Sequence, residues 1–511
     1  MQFWRRRAWV ATACALALAG AGCGSGRSPA APGANRGSTA QAAATTSTLA
    51  PPAPLEWAPC QQPTAQGLEC TSTVVTLVAN APATTVRVAL ARYRATGARL
   101  GSLIVNPGGP GVSALDSLPR LYFWLTPALR QHFDVVAFDP PGVGHSQAVR
   151  CLDGPGLDAL LHLDPGPPDP AGFAALVDGA RRLAAGCEAL TGRLLGHVST
   201  ADAARGMDQV RQALGDPKLT YLGFSYGSFL GATYAELFPD RVRALVLDGA
   251  LDPALAPVTV AESQAAALDA QFTTFQKWCA GMPQCPWQPA GLSRAADFAA
   301  LEARVRARPL TVPGTTRTVG PGELFYGTAA GLYEPATWND EAAALAEADR
   351  GDGTELIRLF DSYVGRNADG TYQPLLEAEV AVNCLDAPSP SIDQLRAAEP
   401  AAAAAAPDFG VGDLLGELDC AVWPLPATAA PHPIKAAGAP PIVVVATTAD
   451  PITPYQWGKA LAGELERGVL LTRVGEGHTA YAASACVRRL VDTYMIDLGA
   501  PPAGSQCPSD G

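Results

Sequence analysis

The chain has 511 residues, 48% of them hydrophobic and 16% charged, with 36 basic residues and a formal net charge of −12. Such a length buries one large core and leaves well over roughly a hundred residues for a second lobe, so a single small domain is excluded. No Lys/Arg cluster follows the first ten residues, which excludes a phosphate-tracking surface and argues against nucleic acid as a partner.

In chain order, the first feature reads as an address. Arg5, Arg6 and Arg7 precede an uncharged stretch from Ala8 to Gly22 that is shorter than the ~20 residues a spanning helix needs, so residues 1–22 are expected to be an export signal. The stretch ends in Gly20-Ala21-Gly22-Cys23, which resembles a bacterial lipobox although Gly20 stands where Leu is usual. Lipidation of Cys23 would make a membrane anchor, the alternative being ordinary signal cleavage nearby with Cys23 incidental. Residues 23–54 are Ser, Thr, Ala, Pro and Gly with almost no large apolar side chain, a composition that cannot offset its ordering entropy, and so form a tether.

Apolar β-like runs are expected at 73–78, 85–92, 102–106, 133–139, 220–224 and 243–248, with helical stretches such as 203–214 and 226–238 between them. Short apolar strands alternating with helices indicate an α/β fold with a mostly parallel central sheet covered on both faces. From 253 to 432 the pattern is Ala-rich and helical, including 338–348 and 353–364, without a convincing strand, and reads as a large inserted helical lid. The β pattern returns at 441–447 and 469–474 and closes on a helix at 482–498. The expected organisation is thus a core in two parts, 55–252 and 433–511, interrupted by the lid.

Ten cysteines lie beyond the address: Cys60, Cys70, Cys151, Cys187, Cys279, Cys285, Cys384, Cys420, Cys486 and Cys507. An even number in an exported chain implies disulfides. No Cys-x-x-Cys pair or His at ligand spacing accompanies them, so no metal or other cofactor is expected. Sequence leaves their connectivity open; sequential pairing is expected because each bridge would staple a local loop.

Chemistry concentrates at Gly223-Phe224-Ser225-Tyr226-Gly227. In a chain with 51 Gly the string alone is modest support, and a Ser merely capping a helix is the alternative. Its context adds more: Ser225 follows an apolar run and opens a helical one, a strand–turn–helix elbow so tight that side chains at the flanking positions would clash. A neutral hydroxyl is a poor nucleophile and needs a base, which in turn needs a carboxylate to hold its tautomer. The elbow and the interrupted sheet resemble the α/β-hydrolase fold, in which acid and histidine follow the serine, leaving His432 and His478. His432 lies between prolines in an expected linker, whereas His478 follows the last strand in Gly475-Glu476-Gly477-His478-Thr479. For the acid, Asp450 at a strand end before Pro451-Ile452-Thr453-Pro454 is favoured over Asp248, which then becomes structural. The oxyanion donors are assigned to the N–H groups of Gly109, in Asn106-Pro107-Gly108-Gly109-Pro110-Gly111, and of Tyr226; an idle Gly/Pro turn is the alternative. The loop from Asp139 to Ser146 reads as architectural.

Together these motifs resemble the branch of α/β hydrolases that holds proline iminopeptidases and secreted actinobacterial tripeptidyl aminopeptidases, over about residues 55 to 507, with 433–511 like the C-terminal region of the latter. Pro107 departs from the His that proline iminopeptidases usually carry there. The resemblance implies an exported serine exopeptidase acting on peptides, with a lid carboxylate that takes the free N-terminus. Glu379 and Asp386, in Glu379-Val380-Ala381-Val382-Asn383-Cys384-Leu385-Asp386, are the candidates, against a reading as solvated helix charges. An esterase using the same triad, or a catalytically dead binding lipoprotein, are the alternatives.

Overall fold

The computed structural model describes residues 55–61, 66–77, 85–283, 285–287 and 294–509. The expected signal, Cys23 and the tether lie outside them. Among the described residues no helix is long and apolar enough to cross a membrane.

Ten strands form the central sheet: β1 (Ala58–Pro59), β2 (Leu68–Thr76), β3 (Thr85–Tyr93), β4 (Gly101–Asn106), β5 (Phe133–Phe138), β6 (Leu219–Phe224), β7 (Val242–Asp248), and, after two short strands of the lid, β10 (Ile442–Ala449), β11 (Gly468–Glu476) and β12 (Gln506–Cys507). Their order is β1-β2-β3-β5-β4-β6-β7-β10-β11-β12; the first three ladders are antiparallel and the remainder parallel. All six residues of β5 and all six of β6 are buried, as unbroken apolar strands covered on both faces must be. Every side of this sheet is satisfied by packing: Val88, Ile104, Val136, Tyr221 and Leu245 look to one apolar layer, while Leu103, Val135, Leu222, Val246 and Val443 look to the other.

The parallel strands point their carboxyl ends one way; Asp248 ends β7, and the loops after the other strands carry Pro107–Gly111, Asp139, Ser225, Asp450 and His478. In open α/β sheets ligands bind at that edge.

Between Asp248 and β10 the chain is mostly helical, with its own aromatic core in which Phe272 meets Phe298 edge to face at 4.7 Å and Phe275 stacks near Trp287 at 6.0 Å. The expectation of no strand there is corrected: β8 (Leu310–Thr311) and β9 (Thr318–Val319) pair across a turn with Gly314 at φ +79°. Two residues each are too few for a visible period of two. Also unforeseen are helices Gly154–Leu161 and Pro170–Thr191 between β5 and β6.

Cysteines pair in sequence order, Cys60–Cys70, Cys151–Cys187, Cys279–Cys285, Cys384–Cys420 and Cys486–Cys507. Closing a loop of 36 residues, as two of these bridges do, removes about 4 kcal/mol of unfolded-chain entropy in the chain-entropy treatment.

Candidate active site

Ser225 joins β6 to helix Tyr226–Leu237 at φ 54° and ψ −127°, a left-handed backbone that a residue with a side chain adopts only when its surroundings enforce it. The enforcement is visible. Ser225 N–H donates to the Asp248 carbonyl at 2.8 Å, and Ser228 N–H donates back to the Ser225 carbonyl at 2.7 Å. A Cβ at Gly223 would meet the Gly227 carbonyl carbon and the Tyr221 ring, each at 2.5 Å, and one at Gly227 would lie 2.8 Å from Asn106 Oδ1. Only hydrogen fits at either position, which is why the serine is flanked by glycines.

His478 follows β11, on the loop that leaves the carboxyl end of that strand. Its Nδ1 is 2.9 Å and 3.1 Å from the two carboxylate oxygens of Asp450. Asp450 is itself held by N–H groups of Ile452 and Thr453, each 2.9 Å from Oδ1, by the Thr453 hydroxyl and by Thr479 N–H. Pro451 thus starts a turn whose amides aim the carboxylate at the ring. Burial disfavours charge on His478, but the Asp450 carboxylate outweighs it, so the imidazole titrates above its ordinary value. His432, by contrast, is exposed and bonds its ring to the Ala430 carbonyl.

Asp248 does not touch the imidazole nitrogens. It is fully buried and accepts from Ala480 N–H at 2.9 Å and Tyr481 N–H at 2.8 Å, fixing the loop beyond His478. Burial pushes its pKa up to about 7, with those two amides opposing.

The glycine loop after β4 wraps the elbow. A Cβ at Gly108 would lie 2.8 Å from Ser225 Cβ and 3.4 Å from its hydroxyl oxygen. Gly108 N–H is taken by Asn106 Oδ1 at 2.9 Å, while among the described residues no protein acceptor takes the N–H of Gly109 or Tyr226. Tyr226 adjoins Ser225 in the chain and Gly109 follows the residue packed on the Ser225 side chain; amides left without an acceptor are the kind of donor a developing oxyanion needs. Behind them Asp139 knots two loops, accepting from Ser113 Oγ and the N–H groups of Ala114 and His145 at 2.7 to 2.9 Å.

The two lid carboxylates differ. Asp386 is a correction to the expected amine site: both of its oxygens are occupied by Thr200, whose N–H lies at 2.8 Å and hydroxyl at 2.5 Å, and that hydroxyl is 2.6 Å from the Tyr226 hydroxyl. It ties helix Leu375–Asp386 to the elbow. Glu379, on the same helix, accepts no hydrogen bond among the described residues, and burial alone pushes it up to about 7. Its charge is felt by the hydroxyls of the half-buried Tyr326, Tyr333 and Tyr363. Tyr333 and Tyr363 join hydroxyls at 3.3 Å, and the Tyr333 ring meets the His478 ring edge-on at 5.7 Å, so tyrosines lead from the histidine towards Glu379. Asp413, also pushed up to about 7 by burial, acts on the same three hydroxyls.

Sequence reasoning missed Thr453, Thr200, Tyr333 and Glu334. Thr453, three residues after Asp450 in a Pro-framed turn, had a local signal; the other three act across distances no local pattern encodes. Among the described residues no group of three or more His, Cys, Asp or Glu is arranged to hold a metal ion.

Residues 101–482 match the family described as alpha/beta hydrolase fold. The chain is 36% identical over 482 residues to serine protease Hip1 of Mycobacterium tuberculosis, spanning 89% of this chain and 91% of that protein. It is 38% identical over 449 residues to carboxylesterase B of the same organism, covering 83% of each. To tripeptidyl aminopeptidase of Streptomyces coelicolor it is 30% identical over 443 residues, 83% of this chain and 79% of that one.

Proposed function

The chain is a serine hydrolase of the alpha/beta hydrolase fold family, and from that membership we propose that it is an exported exopeptidase releasing short peptides, tripeptides above all, from free N-termini. Ser225 attacks the scissile carbonyl as His478 Nε2 removes its proton. Asp450 holds Nδ1–H, so Nε2 is the free base, and it stabilises the imidazolium that forms. The N–H groups of Gly109 and Tyr226 receive the oxyanion. On collapse the proton passes from His478 to the leaving amine, and water, activated by the same imidazole, hydrolyses the acyl-enzyme on Ser225.

The observation that carries the exopeptidase reading is Glu379, an unpartnered carboxylate largely withdrawn from solvent on the lid side of the tyrosines beside His478. A protonated N-terminus would supply the charge-assisted bonds it lacks. Since a chain extends ~3.3 to 3.6 Å per residue, release of three residues calls for an anchor roughly 10 Å from the Ser225 hydroxyl. Five disulfides support export, because thiols stay reduced in the cytosol. Lipidation of Cys23 would keep the enzyme at the outer face of the membrane.

A carboxylesterase is the second reading, favoured by the likeness to carboxylesterase B. Chromogenic amides of Ala-Ala-Pro, Ala-Ala and Pro, free and N-acetylated, set against a p-nitrophenyl ester, separate the two. The exopeptidase reading expects Ala-Ala-Pro to be cleaved fastest and acetylation to abolish cleavage. Indifference to acetylation with fast ester turnover contradicts it.

A further inference from the structure

The lid touches the catalytic histidine directly. His478 N–H donates to the Tyr333 carbonyl at 2.9 Å, and the next lid residue, Glu334, lays its side chain against the residue before the histidine. A Cβ at Gly477, whose φ is +101°, would overlap Glu334 Oε2. The absence of a side chain at 477 is therefore what admits the carboxylate. Among the described residues the half-buried side chain of Glu334 accepts no hydrogen bond, and a carboxylate partly withdrawn from water and left unpartnered is costly unless it stays protonated or serves a charge that comes and goes.

We propose that Glu334 is a positioning and charge-tuning residue for His478, a second carboxylate that stabilises the imidazolium from the lid side while Asp450 does so from the core. His478 faces Asp450, Glu334 and Asp248; Glu334 faces His478 and Arg473 as favourable partners and Asp450 and Asp248 as unfavourable ones. Arg473 spends one NH group on the Glu476 and Thr479 carbonyls and leaves Nε unbonded. Burial holds Glu334 up to about 8, with His478 the largest opposing charge. In the resting enzyme near neutrality Glu334 is therefore mostly protonated. Above about pH 8 it ionises and adds a negative charge beside the imidazole just where positive charge develops during attack.

The consequence is a signature in the pH dependence that a merely structural residue would not leave. With a p-nitrophenyl ester, which has no amine to bind, wild-type kcat/KM should rise through the His478 ionisation and then rise again by roughly three- to tenfold as Glu334 ionises, the size of effect one nearby charge produces. Glu334→Gln mimics the protonated form, so it should keep the first rise and lose the second. Glu334→Asp keeps the charge but withdraws it, and should restore part of the second rise; it also provides the readout if the glutamine variant fails to fold. Retention of the second rise in Glu334→Gln overturns the proposal. So does a variant whose only defect is a higher KM for peptides with free N-termini, since Glu334 would then be an amine anchor. Because the ester lacks an amine, this test stands whether or not the exopeptidase reading holds.

Discussion

Replacing Glu379 with Gln keeps the shape of the side chain and removes its charge. In the native enzyme burial holds this carboxyl up to about 7 with no hydrogen bond to offset it, so a cation beside it would favour its charged form. A hydrogen bond to a charged group contributes about 1.5 to 3 kcal/mol, so Glu379→Gln should lower kcat/KM for peptides with free N-termini by roughly 10- to 150-fold. Hydrolysis of a p-nitrophenyl ester should change little. The pH dependence carries the sign: the proposed amine binding calls for Glu379 ionised and the substrate amine, with an ordinary pKa near 7.7 to 8.0, protonated. Wild-type kcat/KM for the peptide, divided by that for the ester to remove the shared His478 ionisation, should therefore peak between about pH 7 and 8. The variant should lose the rising side of that peak. Initial rates on Ala-Ala-Pro p-nitroanilide and a p-nitrophenyl ester across pH 5.5 to 9 measure it. Equal losses on both substrates, or an unchanged peak, would show that Glu379 does not take the substrate amine.

Three other outcomes follow from the structure. Gly223→Ala places a Cβ 2.5 Å from the Gly227 carbonyl carbon; relief requires backbone movement at the elbow, so thermal unfolding should show a loss of about 3 kcal/mol and kcat should fall with it. Asp248, Glu379, Asp386, Asp413, Glu417 and Asp419 are each held up to about 7 by burial. The native state therefore binds more protons than the unfolded chain between the ordinary carboxylate range and pH 7, so stability falls as pH rises through that window. His478, raised as well, loses its contribution in the same direction. Calorimetry should give a higher Tm at pH 5.5 than at pH 8; the reverse order would show that these carboxyls ionise freely. Removing Cys384–Cys420 by a double Ser substitution frees the helix that carries Glu379, and should lower Tm and raise KM for peptides more than for the ester.

Much of this architecture is written locally. The strands around the site are unbroken apolar runs, and each expected boundary from 102–106 onward lies within two residues of the strand observed. The elbow is legible because steric exclusion at Gly223 and Gly227 leaves a fixed spacing around Ser225. Helix Pro170–Thr191 also had its signal, an Asp169 cap accepting from the N–H groups of Ala171 and Gly172 with Pro170 in the first turn, though its apolar face is diluted by alanine. What could not be read is partnership across the chain. Asp386 and Glu379 lie on one helix, both carboxylates and both withdrawn from water, and nothing in the string tells that Thr200, 186 positions away, engages the first and leaves the second unpaired. The contact of Tyr333 and Glu334 with the His478 loop is likewise a property of how the lid settles.

Ser225 is assigned as the nucleophile served by His478 and Asp450, and covalent labelling tests that role most directly. Intact-protein mass spectrometry after reaction with a fluorophosphonate should show one adduct, located on the peptide that contains Ser225, in step with loss of activity; Ser225→Ala should take no label and turn over neither ester nor peptide. A label on another residue, or turnover retained by Ser225→Ala, would show that the nucleophile lies elsewhere.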